Sequence, residues 1–131
     1  MAQPERPLSP FMNYRWQYTN TLSILHRITG VLLAGGFLLL AWWLVSAAAG
    51  ADAYAQALVC LGSLPGRLVL FGALASFCYH LLNGVRHLFF DAGIGFEKAT
   101  ARASARAVAI GAVLLAATAW FVLTRSLGGG A

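Results

Sequence analysis

The chain has 131 residues, of which 60% are hydrophobic and only 10% charged, and its formal net charge is +5. A soluble domain carries about 25% charged residues, so this chain has too little polar surface to cover itself in water. Its two cysteines lack metal-site spacing, and no dinucleotide or flavin fingerprint occurs, which excludes a self-contained nucleotide- or flavin-binding enzyme.

Residues 1–18 read as an interfacial arm. Pro4, Pro7 and Pro10 favour extended backbone, and Tyr14, Trp16 and Tyr18 have the character of an aromatic membrane anchor. The first membrane helix is expected over about 21–49, starting where Thr19 to Thr21 can cap it. Its stretch from Ile28 to Ala49 is 22 residues without a charge, and Trp42 and Trp43 mark its outer boundary. A loop from Gly50 to Gly66 follows, in which Asp52 is expected to cap a short surface helix and Pro65-Gly66 to end the loop. The second span is expected over about 66–90, with Leu68 to Val85 uncharged. Residues 91–106, DAGIGFEKATARASAR, form a polar and basic loop. The third span, about 104–126, is rich in Ala and contains Gly111, which suits close helix packing. Thr118 is its only polar interior residue, so it is expected to be structural. Gly128-Gly129-Gly130 reads as a disordered tail.

Each uncharged stretch approximates the roughly 17–25 residues needed to cross a hydrocarbon core of about 30 Å. None alternates as barrel strands do. The fold class is therefore an all-α membrane protein, one domain over 1–131 with three transmembrane helices. Such a thin bundle predicts partner subunits.

The basic residues follow this plan. Arg6, Arg15, Arg27, Arg86, Lys98, Arg102 and Arg106 fall at the N-terminus and the second loop, against only Arg67 and Arg125 on the other side. The positive-inside rule then places the N-terminus in the cytoplasm and the C-terminus outside. Charges at helix ends also argue against nucleic acid as a partner. The first 20 residues lack the apolar core of a signal peptide and the character of a transit peptide. A bacterial inner membrane is the expected location, with the mitochondrial inner membrane as the alternative. Cys60 should lie near the outer surface and Cys78 at membrane depth, too far apart in depth for a disulfide.

His80 is the chemically informative residue. An imidazole at membrane depth is costly without a partner and usually faces a bundle interior. Its two readings are a metal ligand, most often to haem iron in a membrane bundle, and a hydrogen-bonding group between helices. His80, Asn83, Gly84 and His87 recur at i, i+3, i+4 and i+7, one stripe of one helix. Gly84 leaves a notch where a flat ligand could approach. His87 lies about 10 Å along the axis from His80, so the two cannot grip one iron from opposite faces. A second axial ligand is expected from a partner subunit. Ser23, His26, Arg27 and Gly30 repeat the spacing in the first helix. They could neutralise haem propionates or donate hydrogen bonds to a quinone carbonyl. Equally, Arg27 could be a snorkelling anchor and Ser23 could bond its own helix. Arg86, His87 and Asp91 read as ordinary interfacial charges, with Arg86 paired to an acid or a lipid headgroup. Tyr79 and the Phe89-Phe90 pair read as packing.

RPLSP at 6–10, SILHRITG at 23–30 and HLLNGVRHLFFD at 80–91 resemble, in that order, the cytochrome b subunit of succinate dehydrogenase. The resemblance covers nearly the whole chain. It implies an anchor which, with a second three-helix membrane subunit, attaches an iron–sulfur subunit and a flavoprotein to the bilayer and helps pass electrons from succinate to ubiquinone. Haem b would be shared between the two membrane subunits. FAD and iron–sulfur clusters would reside only in the partners. Position by position, His80 resembles the axial haem ligand. His26 and Arg27 match residues near the propionates, and Ser23 and Arg27 match residues at the quinone. Gly84 and His87 match the haem neighbourhood, Arg86 matches the end of the haem-ligand helix, and Asp91 matches an acid on a proton route. Phe11 stands where relatives often carry a histidine, so the resemblance leaves a ligand role for the arm open. A fumarate reductase anchor and a structural adaptor without haem are the alternatives.

Overall fold

The computed structural model describes residues 18–128. It contains four helices in order: α1 Tyr18–Ala49, α2 Ala51–Gly62, α3 Leu64–Asp91 and α4 Lys98–Gly128. Among the described residues there is no strand. Asn20–Ala49, Leu64–Asp91 and Lys98–Ser126 are each long and apolar enough to cross a membrane. At 1.5 Å per residue, a helix of α3's 28 residues rises about 42 Å, so its ends clear the hydrocarbon core. The expected arm and the last residues of the glycine tail, 129–131, lie outside the described residues.

The interior is small and the outside is greasy. Leu22, Cys78, Ala105, Val108, Ala112 and Ala116 are buried, whereas Val31, Phe37, Leu38, Val113 and Leu114 are each more than 60% exposed. That inversion suits a lipid environment, where close approach of small residues holds helices together. Ala105, Val108, Ala112 and Ala116 form one seam along α4, while Thr118 is exposed and lies off that seam.

Three boundaries differ from the sequence reading. The short surface helix exists as α2, but Asp52 does not cap it. Gly50 does the turning, at φ 122, and its carbonyl accepts from Tyr54 N at 3.1 Å. A single residue between two helices needs that left-handed conformation, which glycine adopts without steric cost. Trp43 then packs on Tyr54, ring centroids 6.1 Å apart. Second, Pro65 sits inside the first turn of α3, where a missing N–H costs nothing. The cap is Ser63, whose hydroxyl accepts from Gly66 N at 3.2 Å. Third, α4 begins at Lys98 rather than near 104. KATARASAR is dominated by strong helix formers, so the helix runs past the apolar segment and the loop shrinks. Gly93 and Gly95, at φ 79 and 89, turn the remaining loop, and Phe90 stacks on Phe96 at 5.3 Å.

Candidate functional site

The N-terminal end of α1, the C-terminal end of α3 and the start of α4 lie on one side of the bundle, termed here the basic end. Near it, all three histidines form one column. The His26 ring stacks on His80, centroids 3.9 Å apart and 10° from parallel. On its other side it meets His87 at 5.2 Å, tilted 44°. His26 thus fills the gap between the two α3 histidines. A Cβ on Gly84 would lie 3.9 Å from His26 Cε1, so the flat group against the Gly84 notch is this imidazole. Sequence spacing could not show this, because depth register between α1 and α3 is a property of their packing.

His80 is held by one nitrogen. Its Nδ1 lies 3.2 Å from the His26 carbonyl oxygen and 3.3 Å from Thr29 Oγ1. The Thr29 hydroxyl already donates within its own helix, to the carbonyls of Leu25 at 2.8 Å and His26 at 3.0 Å. Both groups around Nδ1 are therefore acceptors, and the ring nitrogen between them carries the proton. That assignment leaves the lone pair on Nε2. The tautomer is the one a metal-bound histidine adopts when its other N–H is held by a carbonyl. Thr29 is a site residue that the sequence reading missed. The available signal was its place three residues after His26.

His80 lines a groove of about 430 Å³ with Gly30, Leu33, Ala34, Phe37, Phe77 and Leu81. Gly30 makes the approach of the helices possible, since a Cβ there would meet His80 Cε1 at 3.2 Å. The α1 residues of this groove continue the stripe that carries Ser23 and Arg27 toward the basic end. Ser23 is half-buried and Arg27 exposed. Neither makes a hydrogen bond or ion pair to a described residue, so the self-bonding expected as an alternative for Ser23 is not what its hydroxyl does. Asp91, the last residue of α3, is exposed. Among the described residues no three His, Cys, Asp or Glu side chains converge as a metal site. A metal on His80 would need its other donors from elsewhere, as a haem provides.

Arg86 is not the interfacial charge read from the sequence. It is 7% exposed, donates from Nε to Ser104 Oγ at 3.0 Å and from Nη2 to the Ala101 carbonyl at 3.2 Å, and lies 4.4 Å from the Phe90 ring centroid. The early start of α4 covers it, making it a clasp between α3 and α4. Tyr79 is more than packing: its hydroxyl donates to the Leu22 carbonyl at 2.7 Å, tying α3 to α1. Asn83 is fully buried and neither amide atom has a partner among the described residues; His26 Nδ1 shares that state. Cys60 is exposed and Cys78 is buried among the helices, and both are free.

Fold and site together define an integral membrane subunit with three spans and a histidine column at its basic end. A family described as succinate dehydrogenase/fumarate reductase transmembrane subunit matches residues 2–121. The chain is 44% identical over 112 residues to the succinate dehydrogenase cytochrome b556 subunit of Paracoccus denitrificans, covering 85% of this chain and 86% of that one. It is 38% identical over 117 residues to the protein of the same name in Rickettsia prowazekii (strain Madrid E), covering 88% and 91%. The mitochondrial succinate dehydrogenase cytochrome b560 subunit of Mus musculus is 34% identical over 112 residues, covering 83% and 66%. The chain belongs to the succinate dehydrogenase/fumarate reductase transmembrane subunit family.

Proposed function

We propose that this chain is the haem b-carrying membrane anchor of a succinate:ubiquinone oxidoreductase in a bacterial inner membrane, with its basic end in the cytoplasm. The observation that carries the proposal is the fixed His80 ring, with Nδ1 pinned to α1 and Nε2 left for a metal beside an apolar groove. Relatives named cytochrome b556 and b560 support it. A haem bound there would supply one-electron acceptance close to the quinone site, at a potential set by burial and axial ligands.

This chain's own residues do the rest. His80 would hold the haem iron through Nε2, while the His26 carbonyl and Thr29 Oγ1 keep its ring in the ligating tautomer and orientation. A histidine of a second small membrane subunit would supply the other protein ligand. Arg27, on the His80 side of α1, neutralises a carboxylate such as a haem propionate through charge-assisted hydrogen bonds. His26 and His87 line that neighbourhood. The Ser23 hydroxyl and Arg27 guanidinium, both unengaged by described residues, donate to a quinone carbonyl. They stabilise the charge that develops as the ring is reduced. Asp91, exposed one turn beyond His87, can pass protons at the surface. Succinate oxidation, FAD and the iron–sulfur clusters belong to the flavoprotein and iron–sulfur subunits.

A reduced-minus-oxidised absorbance spectrum of the purified complex tests the proposal, and b-type bands are expected. Their absence would favour a structural adaptor, a reading that the His26–His80 stack and the His80-to-carbonyl bond also accommodate. The family description spans fumarate reductases too. Steady-state rates in both directions, with ubiquinone and with menaquinone, distinguish that alternative.

A further inference from the structure

A second groove, of about 400 Å³, runs between α1, α3 and α4. Leu25, Phe71, Tyr79, Ala109, Val113 and Ala116 are among the residues that line it. Small side chains on α4 leave it open. Its polar lining residues are Thr21, in the first turn of α1, and Tyr79, whose hydroxyl is spent on the Leu22 carbonyl; the rest of the wall presents nothing for a polar head to bond. A flexible apolar chain fits such walls better than a quinone ring, whose carbonyls need donors.

Toward the basic end, the groove meets charge. Arg102, Arg106, Ala109, Val113 and Ala116 follow one another at steps of four, three, four and three, which is one stripe of α4. Arg106 is therefore about 4.5 Å, and Arg102 about 10 Å, beyond Ala109 along the helix axis. Both guanidinium side chains are exposed, and neither has an ion pair or hydrogen bond to a described residue. Apolar walls at acyl depth with two unpaired cations at headgroup depth are complementary to an anionic amphiphile. Basic pockets between transmembrane helices on the cytoplasmic side recognise anionic lipid headgroups in this way.

We propose that this groove binds one acyl chain of an anionic phospholipid, whose phosphate is held by Arg106 and Arg102. The site shares α1 and α3 with the His80 groove but is lined by other residues of both and by α4, and it does not depend on haem.

The test uses the whole complex, stripped of lipid by excess detergent. It is then exposed separately to dioleoyl-phosphatidylglycerol, dioleoyl-phosphatidylcholine or a long-tailed ubiquinone. Retained molecules per complex are read by native mass spectrometry. Phosphatidylglycerol should be retained in preference to phosphatidylcholine. Arg102→Gln with Arg106→Gln should weaken its retention roughly 30-fold, at about one surface-potential increment per arginine, without changing that of phosphatidylcholine. Ala112→Leu, which fills the groove, should reduce retention of both. Equal retention of the two lipids, unchanged retention in the double arginine variant, or binding of quinone in place of lipid overturns the proposal. The arginine variants alter only exposed side chains, and subunit stoichiometry shows that each preparation is assembled. Missing b-type bands in the unmodified complex would count against the haem reading alone.

Discussion

Two grooves of nearly equal volume, about 430 and 400 Å³, are cut into this bundle, and both are apolar. Each continues toward the basic end as a stripe carrying arginine: Arg27 for one, Arg106 and Arg102 for the other. The difference is a single imidazole. In the first groove His80 presents a nitrogen not spent within the protein, whereas in the second the hydroxyl of Tyr79 is tied to a carbonyl. Size and apolarity therefore do not assign chemistry to a cleft in a membrane bundle. An unspent donor or acceptor at depth does, because the bilayer offers it no water.

The sharpest way to break the comparison is His80→Leu, which makes the first groove as inert as the second. Loss of the b-type bands is expected in the reduced-minus-oxidised spectrum, and an unchanged spectrum removes the ligand assignment. Next in size, Arg27→Ala removes a charged donor from the mouth of the first groove. Quinone reduction should fall on the order of a hundredfold, by analogy with the loss of one preorganised donor, in steady-state assays with the b-type bands retained. Gly30→Val adds bulk where even a Cβ alone would come within 3.2 Å of His80 Cε1, so α1 and α3 must part. A cost of about 1–3 kcal/mol is expected from overpacking, read as a lowered unfolding temperature together with a shifted haem spectrum. Thr29→Val keeps the shape but removes one of the two acceptors at Nδ1. About 1 kcal/mol and a change in haem potential, measured by redox titration, should follow. Least disruptive is Phe71→Leu in the second groove. It deletes the edge-to-face contact with Trp120, at 5.3 Å, and should cost about 0.5–1.5 kcal/mol of thermal stability with b-type bands unaltered.

Much of the molecule was legible along the chain. The three spans appear because uncharged runs of that length have one stable home. The surface helix after the first span was visible in ADAYAQALVCL, although its capping was misread: Gly50, not Asp52, provides the turn. The start of α4 was placed too late because its arginines suggested a loop, whereas alanine and arginine are strong helix formers. Arg86 was misjudged for a related reason. A charge near a helix end is ordinarily solvated, and only the early start of α4 brings Ser104 and Ala101 over it.

The sequence by itself determined which residues share a face of one helix. Helical periodicity put His80, Gly84 and His87 on one stripe and Ser23, His26, Arg27 and Gly30 on another. What only the tertiary structure decided is how those stripes meet. His26 lies flat on His80 at 3.9 Å, and Nδ1 is taken by the His26 carbonyl and Thr29, which leaves Nε2. Periodicity is a property of a single helix. Rotation and depth register between two helices depend on where small residues such as Gly30 let the backbones approach.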